Sequence, residues 1–205
     1  MNETRDLFDA MYTNRAHREF TTDPVPDDLI EKVLDAAVRA PSGSNAQKWR
    51  FIVITNPEIR AKVGNEYRES FYNRPIPGRP PGPSRGPSHL PDNMGTEPPV
   101  LILVCMENDP GGGEAPNRTA GASIYPAVQN LMLAARAYGL GTVLTTIHRY
   151  REEEIKQILG IPEHVDTWAL IPMGYPVKSF GPLTRKPPAE VSFRDRWGQP
   201  LSGNE

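Results

Sequence analysis

Two basic pairs are the first residues whose type and spacing could do chemistry. Arg15 and Arg18 stand three positions apart in a polar stretch between two apolar patterns, and Arg185 with Lys186 lie close to the C-terminal end. Guanidinium groups that converge on one anion bind it through charge-assisted, bidentate hydrogen bonds, which suits a phosphate. Either pair alone is more typical of a solvated surface loop. Together they predict a phosphate site if the fold brings them to one place.

Residues 40–49, APSGSNAQKW, form the second candidate segment. They combine a rigid proline, small hydroxyl residues, a glycine and two side-chain amides. Such a turn can present backbone N–H groups and amide donors to a planar polar heterocycle, and its glycine permits a close approach. An ordinary turn between a helix and a strand explains the same residues equally well.

The other reactive side chains form no catalytic or metal-binding pattern. The histidines lack metal-ligand spacing with acidic residues, and no serine lies in a G-x-S-x-G context. Cys105 lies in the most apolar run, which predicts a buried, inert thiol. The GxG at 139–141 follows a helical pattern, which disfavours a Rossmann site and predicts Gly139 as a helix C-cap. Thr145 and Thr146, at the end of a predicted strand, could present hydroxyl or N–H groups to a ligand.

Hydrophobic periodicity places these segments among alternating helices and strands. We predict helices over 2–12, 27–38, 57–71, 122–138 and 151–159, and strands over 51–54, 100–106, 143–147 and 168–173. This order is typical of a mixed α/β or α+β domain. The continuous apolar run 100–106 predicts a strand buried on both faces. The helix 122–138, apolar nearly all round, predicts deep burial or a subunit interface.

Composition limits the class of protein. The 205 residues suit a single domain, and a net charge of -2 with a pI near 6.1 argues against a nucleic-acid surface. No apolar run is long enough to cross a bilayer, and no signal-peptide pattern follows the N-terminus. The cytoplasm is therefore the expected location, with no membrane partner. A single cysteine excludes an internal disulfide framework.

Proline is the most unusual part of the composition. The chain has 23 prolines, more than twice the usual share of about 5%, and nine of them lie within 72–99. We predict that this segment is too proline-dense for a helix or a central strand. Residues 77–80 spell P-x-x-P, so a ligand for a polyproline-binding domain stays open as an alternative. The tail from residue 180 has no core period and is interpreted as an extended arm.

Read together, these segments resemble the FMN-dependent nitroreductase-like family from residue 13 to about 191, apart from the proline-rich insert. Its motifs recur in order: Arg-x-x-Arg-x-Phe at 15–20, A-P-S-x-x-N-x-Q-P-W at 40–49, the glycine loop at 139–142, P-x-G-Y-P at 172–176 and a basic motif at 185–187. The sequence departs from the family at His17, where a serine is usual, and at Lys48, where a proline is usual. Residues 144–146 further resemble the flavin-contacting turn of the branch that includes the iodotyrosine deiodinases.

The resemblance implies an α+β fold, a nitroreductase-like three-layer sandwich with a mixed central sheet, which forms an intertwined homodimer with FMN at the interface. It implies one FMN-binding domain over 1–205, with a lid insert at 72–99 and a C-terminal arm at 180–205. Arg15, Arg18 and Arg185 would hold the phosphate. The implied cofactor-binding residues are Arg15, Ala16, His17, Arg18, Pro41, Ser42, Asn45, Leu144, Thr145, Thr146 and Arg185.

The implied activity is that of a flavin oxidoreductase with NADH or NADPH as transient reductant. By ping-pong kinetics it would reduce an electron-poor small molecule: a nitroaromatic, a quinone, an activated alkene or, in a reductive dehalogenation, a halogenated compound. No metal and no catalytic acid or base is assigned, because the flavin N5 carries the chemistry. A non-catalytic FMN-binding or sensor protein on the same fold is the alternative. No residue predicts the physiological acceptor or the preferred nicotinamide.

Overall fold

A four-stranded sheet lies between two layers of helices. The computed structural model describes residues 6–75, 88–108 and 117–201, with the backbone alone for 117–119. The helices are α1 Leu7–Thr13, α2 Asp27–Ala37, α3 Pro57–Asn73, α4 His89–Asn93, α5 Asn117–Ala137, α6 Glu152–Leu159 and α7 Pro188–Val191. The strands are β1 Trp49–Ile54, β2 Val100–Glu107, β3 Gly141–Thr142 and β4 Val165–Gly174. Short 3-10 turns occupy Gly43–Asn45 and Ile147–Arg151.

The strand order is β1-β2-β4-β3, and β2 lies in the middle of the sheet. Because side chains alternate across a strand, its apolar run divides between two cores. Val100, Ile102 and Val104 face one core, and Leu101, Leu103 and Cys105 face the other. The prediction of a strand buried on both faces is confirmed.

Each core joins the sheet to a different layer of helices. The first contains Ile30 and Val33 of α2 with Leu131 of α5, and the second contains Tyr67 of α3 and Ile155 of α6. The α+β class and the three layers are therefore confirmed. The four-stranded sheet is antiparallel instead of mixed, and the one parallel pairing among the described residues is a single bridge from Ala16 to Thr142.

Local sequence explains where several helices begin and end. The side chain of Asp6 accepts bonds from the first N–H groups of α1, and Asn56 does the same for α3, where Pro57 occupies the first turn. Helix α1 thus begins later than predicted, and residues 2–5 lie outside the described part of the chain. Gly139, at φ +81°, follows the end of α5 and confirms the predicted C-cap.

The predicted strand over 143–147 is wrong. Strand β3 covers only Gly141–Thr142, after which Thr145 returns to β4 as an isolated bridge to Leu170 in the same register. In that register Pro172 stands opposite Val143. Proline has no N–H to donate, so the ladder cannot close at this pair and the strand is interrupted. The following residues, Ile147–Arg151, form a 3-10 turn.

The prediction that 72–99 excludes a helix is also wrong at both ends, because α3 continues to Asn73 and α4 lies in the C-terminal part. Helix α4 lies within this segment and buries Leu90 and Pro91, because a proline is tolerated in the first turn of a helix. The Asp92 carboxylate accepts bonds from Tyr72 and Arg68 of α3, which ties α4 to the body of the domain. Residues 76–87, which include the P-x-x-P stretch, lie outside the described residues.

The segment after β4 runs over the surface, as the patternless tail predicts. Apart from the short α7, the described residues of the tail form neither helix nor a strand of the sheet, and from residue 184 they are mostly exposed. Among the residues described here, no helix combines the length and hydropathy that crossing a bilayer requires.

Candidate functional site

Three arginines from distant parts of the sequence line one cavity. Arg15 and Arg18 come from the segment between α1 and α2, and Arg185 comes from the tail. The cavity has a volume of about 440 Å³, within the range of small-molecule sites. Both basic pairs of the sequence therefore contribute to this arginine cavity, the second pair through Arg185 and not through Lys186.

The charge of this cavity is not balanced by acidic side chains. Within the described residues, no carboxylate forms an ion pair with Arg15, Arg18 or Arg185. The nearby Glu19 is paired with Lys178 instead. Three like charges around one cavity repel one another, so an anion bound between them lowers the electrostatic energy.

The rest of the wall combines apolar side chains with hydrogen-bonding groups. Thr142 is the informative polar residue, because its Oγ1 is buried and has no hydrogen-bond partner among the described residues. A buried hydroxyl without a partner is costly and calls for a ligand or a water. The other lining residues are Met11, Asn14, Ala16, Gln129, Met132, Val143, Leu144 and Leu183.

The arginine segment, residues 15–18, lies against the sheet through a close contact between backbones. The N–H of His17 donates to the carbonyl oxygen of Thr142 at 2.9 Å, beside the bridge from Ala16 to Thr142. Gly141 makes this approach possible. A Cβ at that position would lie 2.9 Å from Cβ of Pro176 and 3.0 Å from the His17 side chain.

His17 itself is buried beside the cavity. Its ring meets the ring of Phe180 edge-on, with 4.6 Å between centroids. Burial lowers the pKa of His17, and the positive charges of Arg15 and Arg136 lower it further. The side chain lines a smaller neighbouring cavity of about 270 Å³, together with Arg15, Arg18, Glu19 and Lys178.

The loop after α2 lies at a different cavity. Ser42 lines a pocket of about 380 Å³ with Trp49, Ser123 and other residues, whereas Pro41 and Asn45 are exposed. The Ser42 hydroxyl accepts a bond from the N–H of Gln47 at 3.2 Å, and the Asn45 amide oxygen accepts one from the Gln47 side chain at 2.9 Å.

This loop also stores backbone strain. Ser44, Asn45 and Gln47 have φ values of 52°, 54° and 49°, in the left-handed region that favours glycine. Strain of this kind is costly and concentrates at ligand sites. The loop is thus held in an unfavourable conformation that the turn sequence alone does not require.

The three side chains of the turn at 144–146 lie in three different environments. Leu144 lines the arginine cavity. Thr145 faces the sheet, where its hydroxyl donates to the carbonyl oxygen of Leu170 at 2.7 Å. Thr146 lines a further pocket of about 360 Å³ with Tyr125, Arg149, Tyr150 and Glu152.

One protomer therefore brings together only part of the predicted cofactor-binding set. Arg15, Ala16, Arg18, Leu144 and Arg185 share one cavity, and His17 is adjacent to it. Pro41, Ser42, Asn45, Thr145 and Thr146 do not line that cavity. Sequence reasoning missed Thr142, Gln129 and Met132 as lining residues. For the last two a signal existed, because they stand three positions apart on α5 and so lie on one face of the helix.

Two buried groups outside the cavity have altered acidity. Cys105 is buried as predicted, and desolvation, with a smaller contribution from Glu152, raises its pKa to about 12, which suits an unreactive thiol. Desolvation, aided by Arg149, lowers the pKa of His148 to about 3, and its Nε2 lies 3.1 Å from the Thr167 hydroxyl. Across the described ranges, no cluster of side chains is arranged to hold a metal ion.

The chain is similar to proteins of one family. The model of the nitroreductase family matches residues 12–175. A protein of Methanothermobacter thermautotrophicus, provisionally named NADH dehydrogenase/NAD(P)H nitroreductase, is 34% identical over 86% of this chain and 80% of its own length. The iodotyrosine deiodinase of Thermotoga neapolitana is 29% identical over 83% of this chain and 88% of its own. A crystal structure of oxidized iodotyrosine deiodinase with FMN and 3-iodo-L-tyrosine has a TM-score of 0.69 at 26% identity, covering 93% of this chain and 99% of that chain.

Proposed function

The chain belongs to the nitroreductase family, an FMN-dependent family of oxidoreductases, and from this premise we propose that it uses NADH or NADPH to reduce a small electron-poor molecule. The observation that carries the proposal is the cavity with Arg15, Arg18 and Arg185. Three cations without acidic partners in the described chain suit the phosphate dianion of FMN.

The residues present fit FMN beyond its phosphate. The buried hydroxyl of Thr142 offers a hydrogen bond that the described protein leaves unused. Met11, Met132 and Leu144 supply an apolar wall next to the arginines, which suits a ligand that is anionic at one end and apolar at the other. When bound, FMN supplies hydride acceptance from the nicotinamide and electron delivery to the second substrate. The chain's own residues bind and orient it.

Ping-pong kinetics are the expected scheme. The GxG of residues 139–141 ends helix α5 instead of following a strand, so it offers no second dinucleotide site of the Rossmann type. We infer that the nicotinamide and the acceptor occupy the same space in turn. Initial rates at several fixed acceptor concentrations should give parallel lines in double-reciprocal plots, whereas intersecting lines would require a ternary complex.

The complete site is proposed to form between two copies of this chain. The loop of Ser42 and Asn45 has the backbone strain that is typical of ligand sites. It does not, however, line the arginine cavity of its own protomer. Helix α1 exposes the large apolar side chains of Leu7, Phe8 and Tyr12, which a partner could cover. A second copy would supply its loop to the first copy's arginines.

Subunit mixing tests this shared site. The double variant Arg15→Gln/Arg18→Gln and the variant Asn45→Ala should each bind FMN weakly as homodimers. In a mixed dimer, one site combines unaltered arginines with an unaltered loop. Exchange of subunits between the two variants should therefore restore tight FMN binding, and exchange without recovery would contradict the shared site.

The acceptor is proposed to be a nitroaromatic, a quinone, an activated alkene or a halogenated aromatic. The last class enters because relatives of this chain are named iodotyrosine deiodinases. A screen of these acceptors on FMN-loaded protein, with NADH and NADPH in parallel, tests the proposal. Turnover with any class supports an enzyme. Bound FMN that neither nicotinamide reduces would favour the alternative of a non-catalytic flavin-binding protein.

A further inference from the structure

Phe180, where the tail begins, is held between two basic side chains. The guanidinium carbon of Arg136 lies 3.9 Å from the centroid of the Phe180 ring, and the His17 ring meets the same ring edge-on. A guanidinium so close to an aromatic face is attracted by the ring, and the attraction is stronger where water is excluded. Arg136 is 1% exposed, so this contact is shielded from water.

Arg136 is itself fixed to helix α1. Its Nε donates to the Thr13 hydroxyl at 2.9 Å, and Nη2 lies 3.5 Å from a carboxylate oxygen of Asp9. The Thr13 hydroxyl in turn donates to the carbonyl oxygen of Asp9 at 2.6 Å. A buried cation on a mainly apolar helix is expensive unless it is paired. These contacts with α1 fix the position of Arg136 without any contribution from the tail.

The path of the tail leads from Phe180 directly to the arginine cavity. A Cβ at the next residue, Gly181, would lie 4.0 Å from Nη1 of Arg15, and Leu183 and Arg185 then line the cavity wall. No helix or strand holds this part of the tail. Arg185 is exposed, and its Nη1 donates only to the neighbouring carbonyl oxygen of Thr184 in the described chain. The place of its guanidinium thus depends on how the tail is anchored.

We propose that Arg136 and Phe180 are positioning residues for the cofactor phosphate. Arg136 fixes Phe180, Phe180 fixes the path of the tail, and the tail delivers Arg185 to the cavity beside Arg15 and Arg18. This inference rests on the proposed FMN site and assigns to it two residues that would not touch the cofactor.

Riboflavin separates this role from a general structural one, because it has the flavin ring but lacks the phosphate. Affinities of the full-length apoprotein for FMN and riboflavin are measured by quenching of flavin fluorescence. Phe180→Ala and Arg136→Met should each weaken FMN binding about tenfold, as expected for partial loss of a charge-assisted contact. Riboflavin affinity should stay unchanged. Phe180→Tyr keeps the ring and should retain the FMN affinity of the unaltered protein.

A double-variant cycle tests whether the effect passes through Arg185. In the Arg185→Gln background, Phe180→Ala should weaken FMN binding no further, because the guanidinium that it positions is gone. Phe193→Ala, a truncation farther along the same tail, is the matched control and should leave both affinities unchanged. Phe180 is half-buried, so its truncation keeps the test open even if Arg136→Met does not fold.

Each result of these affinity measurements either supports or overturns the assignment of Arg136 and Phe180. A selective loss of FMN affinity that vanishes in the Arg185→Gln background supports the assignment. Unchanged FMN affinity in Phe180→Ala, equal losses for FMN and riboflavin, or losses that add to those of Arg185→Gln overturn it. If the unaltered protein binds riboflavin and FMN equally poorly, the proposed function fails and the assignment fails with it. If the unaltered protein binds FMN more tightly than riboflavin but Phe180→Ala gives one of the three overturning results, only the assignment fails and the proposed function stands.

Discussion

The backbone N–H of His17 donates to the carbonyl oxygen of Thr142 at 2.9 Å, and this bond joins the two walls of the arginine cavity. His17 stands between Arg15 and Arg18 in the sequence, and Thr142 lines the same cavity as these two arginines. This backbone bond thus holds the segment of Arg15 and Arg18 next to Thr142, whose hydroxyl has no hydrogen-bond partner in the described chain.

Removal of one cavity arginine should weaken binding of the phosphate and not of the flavin ring. We expect Arg15→Gln, Arg18→Gln and Arg185→Gln each to raise the Kd for FMN by about 10- to 100-fold, because each removes a charged hydrogen-bond donor. Titration of flavin fluorescence measures the Kd, with riboflavin as the comparison ligand. Arg39→Gln, which removes an exposed arginine paired with Asp35, is the matched control. Equal effects on FMN and riboflavin would argue against a phosphate site.

Loss of the Thr142 hydroxyl should have opposite effects on the empty and the loaded protein. Thr142→Val removes a buried oxygen that has no partner in the described chain, so the free energy of unfolding of the apoprotein should stay equal or rise. The Kd for FMN should rise about two- to tenfold, the value of one hydrogen bond. Thr142→Ser keeps the hydroxyl and should bind like the unaltered protein. A drop in apoprotein stability with unchanged FMN affinity would show that the hydroxyl serves the fold alone.

A side chain at residue 141 should separate the arginine segment from the sheet. In Gly141→Ala the new Cβ would approach Pro176 and His17 to 3.0 Å or less, which forces the backbone or His17 to move. We expect a loss of about 1–3 kcal/mol in the free energy of unfolding, measured with denaturant, and weaker FMN binding. Gly43→Ala is the control for stability alone, since its Cβ would meet only one atom at 4.0 Å. An unchanged Gly141→Ala protein would mean that this contact is loose.

Buried His148 should make the fold sensitive to acid. Its pKa is lowered from 6.5 to about 3 by desolvation, so the folded state holds the neutral ring while the unfolded state takes up a proton. Its contribution to stability is complete above pH 6.5 and is lost as the pH falls from 6.5 towards 3. The loss is at most about 1.4 kcal/mol per pH unit.

Denaturant unfolding of His148→Gln across that pH range tests this origin. The free energy of unfolding of the variant should fall less steeply with acid than that of the unaltered protein. Equal slopes for the two proteins would mean that His148 does not carry the acid response.

The proline-rich segment should govern the acceptor and not the cofactor. Because α4 is packed on α3 through Leu90 and Asp92, the part to exchange is 76–87 and not the whole of 72–99. Its replacement by a Gly-Ser linker should leave FMN affinity unchanged and alter the ratio of kcat/KM values across the acceptor panel. An unchanged ratio would contradict the assignment of this segment as a lid.

Much of the fold follows from periodicity along the chain, and its exceptions have tertiary causes. The apolar run of β2 predicts a strand buried on both faces because each alternate residue needs an apolar neighbour. The segment 143–147, rich in β-branched residues, also predicts a strand but fails as one. Its partner across the sheet is Pro172, whose missing N–H interrupts the ladder, and only the pairing of the two segments reveals this.

The site was predictable to a different degree. Motif order predicts that Arg15, Arg18 and Arg185 come together, and they line one cavity, although no local property of 185 distinguishes it from a solvated basic residue. Arg136 gave a weaker signal, as a charged residue in an apolar helical pattern. Its contact with Phe180 depends on how the tail crosses the surface, which has no period to predict it.

The reduction of bound FMN by a nicotinamide tests the central claim most directly. Protein purified without added flavin, or reconstituted with FMN and freed of excess, is mixed with NADH or NADPH in the absence of oxygen while the flavin absorbance is recorded. We predict that the protein retains FMN and that at least one nicotinamide bleaches the flavin band, which returns when an electron-poor acceptor is added. A protein that cannot retain FMN, or whose bound FMN neither nicotinamide bleaches, would contradict the account.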